Sequence, residues 1–175
     1  MKIGVGPYCK KVSRRCYYKH ARNYEKAIKI TKKRLSKTNS RLVAWLLATE
    51  GSVGLMGNKH PTSRRNITIT PYIAFWNTDK ELVDNFKAII KNGKKYERKR
   101  NEKWSTEYQL RVLGVPYIIS VLESIIPFAP SKKFECLCGL VQEFCNLRFN
   151  RERYKTPYAK RELQIYKEVR RLNHR

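Results

Sequence analysis

The sequence is short of acid: 14 of its 175 residues are Asp or Glu against 39 Lys or Arg, a formal charge of +25. A chain so unbalanced repels itself unless a polyanion neutralises it, which makes nucleic acid the leading partner and an anionic membrane surface the second. Long apolar runs are also missing. The best stretch, Tyr117 to Phe128, is broken by Glu123, whereas a spanning helix needs ~18 apolar residues. No basic amphipathic helix with large apolar residues on one face supports membrane-surface binding either. Residues 1–15 lack the apolar stretch that follows the charges of a secretory signal.

Cysteine is present in an odd count of five, without C-x-x-C pairs. This excludes a regular disulfide framework and favours a reducing compartment. Cys9, Cys16 and His20 are the one grouping that suggests a metal, and buried or free thiols are the better account. A soluble protein is expected, cytoplasmic, or organellar in a eukaryotic host. At 41% hydrophobic and 11% aromatic residues, the chain is too apolar for a basic tail that never folds. Its length suits one domain with an extension.

Charge divides the chain. Residues 1–40 carry 13 basic residues and the single acid Glu25, while residues 112–131 carry no basic residue. Residues 1–37 therefore read as a basic arm, 38–150 as the core and 151–175 as a C-terminal helix packed on it. Tyr24 to Lys37 has a thin helical pattern. Asn39 or Ser40 can cap an almost wholly apolar helix from Leu42 to Ala48 that stops at Gly51. Ser52 to Asn58 and Asn66 to Asn77 read as strands, the second alternating Ile67, Ile69, Ile73 and Phe75 with Thr68, Thr70, Tyr72 and Ala74. Thr78-Asp79-Lys80-Glu81 is a capping box opening a helix with the stripe Leu82, Val83, Phe86, Ile89 and Ile90. Lys95 to Lys103 and Thr106 to Leu113 are two more strands, followed by an aliphatic helix from Gly114 through Ile126. Helices over Ser131 to Leu147 and Pro157 to Leu172 close the chain. The order predicts an α+β fold, an antiparallel sheet with helices on one face.

Three places break local rules. Glu50 lies in the last turn of its helix, where the helix dipole disfavours an anion by ~0.3–1 kcal/mol. An arginine partner or plain exposure would account for it, and so would a divalent cation held by its carboxylate. Lys132 and Lys133 occupy the first turn of a helix, the end that prefers anions; beside phosphate they would be stabilised. The strand face opposite the apolar one carries Thr68, Thr70, Tyr72, Trp76, Arg98, Arg100, Glu107, Gln109 and Arg111, side chains able to read base edges in a major groove. Lys91, Lys94, Lys95 and Lys99 add candidate phosphate contacts.

The run Leu42-Val43-Ala44-Trp45-Leu46-Leu47-Ala48-Thr49-Glu50-Gly51-Ser52 resembles the motif of the LAGLIDADG homing endonucleases, with Glu50-Gly51 at its closing acid-glycine pair. The αββαββα order, Tyr72-Ile73-Ala74-Phe75 running into Thr78-Asp79, and Ile126-Pro127-Phe128 followed by Ser131-Lys132-Lys133 extend the resemblance over roughly residues 38–150. The helix from Pro157 to Asn173 is similar to the tail of archaeal, intron-encoded members. The resemblance implies a nuclease that grips a long double-stranded DNA site with two saddle-shaped sheets and cuts both strands. It makes Glu50 and Lys132 the candidate catalytic residues, and Glu50 with the Thr49 carbonyl the ligands of Mg2+. It places Lys133 and the polar strand face on DNA. Trp45 stands where the motif has glycine and Ala48 replaces its first aspartate. A single motif implies a homodimer joined through Ala44, Trp45, Ala48 and Gly51, on a pseudo-palindromic target. The alternative is an RNA binder without nuclease activity, an intron maturase or a ribosomal-type protein. Intron RNA is then a second candidate partner. The capping box accounts for Asp79, which stays outside the candidate catalytic set.

Overall fold

A computed structural model describes residues 35–59, 67–99, 105–149 and 158–173. The basic arm up to residue 34, Arg100 and the Cys9, Cys16 and His20 grouping lie outside the described residues. The first helix, α1, spans Lys37–Thr49. Its cap is Ser36, whose hydroxyl accepts from the Asn39 amide at 3.2 Å, and not Asn39 or Ser40. Ser40 is instead buried, its hydroxyl 3.4 Å from the Leu35 carbonyl. Packing of Leu35 on the core settles which of three capping-type residues starts the helix.

Strands β1 (Gly51–Lys59) and β2 (Ile67–Asn77) follow, then α2 (Lys80–Ile90), β3 (Lys94–Arg98) and β4 (Glu107–Leu113). The sheet is antiparallel in the order β1-β2-β4-β3, so the two hairpins meet along β2 and β4. Helices α3 (Val115–Ile125), α4 (Lys132–Phe149) and α5 (Lys160–Asn173) complete the chain, with a single 3-10 turn at Ile126–Phe128. The αββαββα order and the α+β architecture are those expected, and the third strand is shorter than expected.

Alternation puts Ile69, Ile73 and Phe75 of β2 and Leu110 and Val112 of β4 under the helices, all buried. Phe75 stacks on Phe86 of α2, with ring centroids 4.4 Å apart, and truncating either would cost ~3–5 kcal/mol. Helix α2 is capped by Asp79, which accepts from the Glu81 and Leu82 amides at 2.8 and 3.2 Å. The capping residue is thus one position later than the expected box. The helix ends at Lys91 in the left-handed conformation, and Gly93 at φ 114° carries the chain into β3.

Beyond the end of β4, residues 67–71 of β2 have an unpaired edge. Pro71 has no amide hydrogen to leave unsatisfied there, and the Tyr158 hydroxyl lies 2.7 Å from the Ile69 amide, which donates to it. Tyr158 is held by Phe144 and by Arg148, whose guanidinium carbon is 4.7 Å from the ring centre. Arg148 also reaches the buried Glu162, which accepts from the Ala159 amide at 2.5 Å. Tyr158, just ahead of α5, thereby satisfies Ile69 on that edge. Among the described residues, no helix is long and apolar enough to cross a membrane.

Candidate acidic site and nucleic-acid interface

Glu50 closes α1, its amide donating to the Leu46 carbonyl at 3.0 Å, and β1 starts at the next residue. Gly51 is required at this corner: a Cβ there would lie 2.7 Å from the Leu47 Cα and 3.0 Å from the Ala74 carbonyl. The close turn leaves the Glu50 side chain exposed at the end of β2. There the Asn77 amide nitrogen donates to Oε2 of Glu50, and the Asn77 carbonyl oxygen accepts from the Asp79 amide at 2.8 Å. Oε1 of Glu50 has no hydrogen-bond partner among the described residues. Asn77 was not among the residues expected from sequence. Its signal, an amide in the last position of a strand beside a helix cap, becomes informative only once α1 and β2 are known to adjoin.

The Thr49 hydroxyl donates back to the Trp45 carbonyl at 3.0 Å. Among the described residues no three His, Cys, Asp or Glu side chains form a metal-binding group. One exposed carboxylate with a free oxygen fits a hard divalent cation, but the remaining ligands would have to be water, carbonyl or phosphate oxygens. Lys132 and Lys133 are exposed in the first turn of α4, capped by Ser131, whose hydroxyl accepts from the Phe134 amide at 3.2 Å. Neither lysine has an ion-pair partner among the described residues, and no hydrogen bond joins Lys132 to Glu50.

The side of α1 away from the core carries Leu42 at 45% and Trp45 at 58% exposure, with Arg41, Ala48 and Thr49 also exposed. Arg41 sits over the Phe128 ring at 5.4 Å. Ala44 does not belong to this stripe. It is fully buried with Val43 and Leu47 in the chain's own core, which removes it from the expected interface set. Gly51 is half-buried and explained by the turn it allows.

The open face of the sheet gathers most of the expected polar residues. Thr68, Thr70, Tyr72, Ala74 and Trp76 alternate along β2, and register sets Ala74 beside Arg111 and Trp76 beside Gln109. In β3, Lys94, Tyr96 and Arg98 face Arg111, Gln109 and Glu107 in turn. Arg111 donates to the Gln109 side-chain oxygen at 3.2 Å and lies 5.7 Å from the Tyr96 ring centre, with Lys94 at 5.3 Å. A depression of about 250 Å3 opens here, lined by Tyr72, Ala74, Trp76, Gln109 and Arg111 among others. Tyr96 was missed, although its spacing of two from Arg98 marks it. Ser52, Met56 and Asn58 of β1 share the face through pairing with Ala74, Thr70 and Thr68; a glycine-rich strand gave no alternation from which to place them.

Lys95 departs from expectation. It points to the helix side and pairs with Asp84 of α2 at 2.5 Å, and this lysine holds the Asp84 carboxyl below the usual carboxylate range. Lys99 is exposed just past β3. Cys138 and Cys145 are core residues whose thiols burial pushes up to about 12, while Cys136 is exposed.

No protein-family model and no curated protein matches the sequence. Solved structures do match. The chain superposes on the archaeal intron-encoded homing endonuclease I-Vdi141I, complexed with DNA, at a TM-score of 0.62 and 14% identity, covering 77% of this chain and 90% of that one. The homing endonuclease I-TnaI gives 0.57 and 15%, over 77% and 93%. The fold is that of the LAGLIDADG homing endonucleases. A third structure, the LAGLIDADG homing endonuclease I-SmaMI bound to cleaved DNA, gives 0.57 and 13%, and there the match takes in 75% of this chain but 42% of that one.

Proposed function

We propose that the chain is a site-specific DNA endonuclease of the homing type, acting as a homodimer on a long pseudo-palindromic duplex site. The observation that carries this reading is the position of Glu50. An exposed carboxylate with one free oxygen stands where α1 meets a sheet whose open face holds Arg98, Gln109, Arg111, Trp76 and the β2 threonines. A pure RNA binder gains nothing from an acid at that corner. The matched solved structures are consistent with this: I-Vdi141I and I-SmaMI are described bound to DNA, and I-CvuI is described with its own target in the presence of Ca and with the I-CreI target, uncleaved, in the presence of Mg. The homodimer is supported by the exposed Leu42 and Trp45 stripe, and by the match of this chain to less than half of I-SmaMI.

In this reading the open face of each sheet binds DNA. Lys94, Lys99 and Lys133 contact phosphates, and Gln109, Arg111 and Arg98 read base edges. Glu50 and the Thr49 carbonyl would hold Mg2+. Bound Mg2+ would lower the pKa of an attacking water and stabilise charge on the phosphorane and the leaving oxygen. Lys132 adds positive charge beside the reacting phosphate. Asp79 keeps its structural role as a helix cap.

The test is incubation with Mg2+ and a plasmid carrying the flanking sequences of the protein's own gene, joined without the insert. Linearisation is expected, and Glu50→Gln should abolish it while leaving site binding intact. A Glu50→Gln protein that cuts at the parent rate would refute the assignment.

A further inference from the structure

The Asn77 amide is fixed at both ends. Its oxygen must face the Asp79 N–H, which can only donate, so its nitrogen must face Glu50 and can only donate to that carboxylate. Asp79 is in turn locked as the cap of α2. The side chain therefore links the rigid start of one helix to the acid ending another, 27 residues away in sequence. It occupies Oε2 of Glu50 and leaves Oε1 without a partner among the described residues. Asparagine contributes no charge here. A second carboxylate at the same place would raise the negative charge of the site, and an apolar residue would leave Glu50 to rotate.

We infer that Asn77 is a positioning residue: it holds one oxygen of Glu50 so that the other alone is offered to a divalent cation, and so limits the site to a single carboxylate contact per chain. This rests on the reading of Glu50 as a cation ligand. An orienting hydrogen bond behind a metal-binding carboxylate is worth roughly 10- to 100-fold in affinity. Added carboxylate charge acts in the opposite sense and tightens a hard-cation site.

The two variants that separate these effects are Asn77→Ala and Asn77→Asp. The alanine loses both hydrogen bonds. The aspartate keeps an oxygen for the Asp79 amide, so the turn into α2 survives, but it cannot donate to Glu50. The experiment titrates Mn2+ into the isotope-labelled full-length protein and reads paramagnetic broadening of the backbone amides of Thr49, Glu50 and Gly51. The side-chain amide signal of Asn77 is recorded in the same spectra. The parent should show a saturable site that Glu50→Gln removes, and that variant should also shift the Asn77 side-chain signal. Asn77→Ala should weaken Mn2+ about tenfold and Asn77→Asp should tighten it. A helix-capping role alone predicts no weakening of Mn2+ in Asn77→Ala and no shift of the Asn77 side-chain signal in Glu50→Gln. Titration of both Asn77 variants like the parent, with the site still lost in Glu50→Gln, overturns the positioning role alone. A titration that Glu50→Gln leaves unchanged overturns the cation reading of Glu50 and the inference with it.

Discussion

Trp45 offers the most direct test of self-association. It is 58% exposed on α1, with Leu42 at 45% one turn before it, a large apolar side chain uncovered in a single chain. An aromatic of this size buries up to ~250 Å2, so about 140 Å2 remains for a partner, worth about 3.5 kcal/mol at 25 cal/mol per Å2. A two-fold interface uses the same patch twice. If a partner covers only half of that area, Trp45→Ala still costs about 1.8 kcal/mol per copy and about 3.5 kcal/mol per dimer, or two to three decades in the dimer dissociation constant. Sedimentation velocity over a wide concentration range gives that constant directly. The fold should be unaffected, since little of the Trp45 side chain enters the core. A parent protein that sediments as a single chain at every concentration would refute the homodimer. Unchanged association in the variant would place the interface elsewhere.

On the sheet, Arg111→Ala should relax base preference at one or two positions by ~1–3 kcal/mol in a randomised-site selection, because it removes the guanidinium and frees Gln109 from its present contact. Unaltered preference would show that this face does not read sequence. Lys133→Ala should weaken binding to all duplexes alike and reduce the log–log salt slope by about 0.9, the value for one phosphate contact. Native thiol labelling followed by peptide mass mapping should modify Cys136 and spare Cys138 and Cys145, whose burial suppresses the thiolate; rapid labelling of either core thiol would contradict the packing of α4. Arg161 grips Glu143 through two bonds of 2.7 Å and holds its carboxyl below the ordinary range. A lowered folded pKa stabilises above the unfolded carboxylate value and is lost as pH falls through the folded one. With both side chains over 40% exposed, the effect should be only ~0.5 kcal/mol. The gap in urea midpoint between the parent and Glu143→Gln should therefore close on acidification, and a gap that widened would show the sign to be wrong.

Local signals located the elements whose residues interact with near neighbours. The stripe of α2, the alternation of β2 and β4, and an acid at the end of an apolar helix are short-range patterns, and each element stands where its pattern put it. Features joining distant segments were not legible. Ser36, Asn39 and Ser40 are equally good caps in isolation, and the burial of Ser40 against Leu35 decides among them. Ala44 and Ala48 look alike in sequence. Only the direction of the core, set by Val43 and Leu47, puts one inside and the other outside. Lys95 and Lys94 are adjacent cations, and the pairing of Lys95 with Asp84 on the helix side separates their surroundings. Asn77 and Tyr158 act across 27 and 89 residues, on partners that no local window contains.

Two uncovered surfaces of different chemistry meet at the Glu50–Gly51 corner. The stripe of α1 is apolar and suits another apolar surface, whereas the open sheet face is polar, aromatic and cationic and suits a polyanion. A carboxylate at their junction is unfavourable for both associations. It would face the phosphates gathered by the sheet, and in a symmetric dimer its copy would stand across the two-fold axis. Asn77 offsets part of that charge with one hydrogen bond and no charge of its own. The remaining repulsion is what a divalent cation would remove, by standing between carboxylate and phosphate. DNA binding by the parent should therefore gain more from Ca2+ than binding by Glu50→Gln, which carries no charge at that corner.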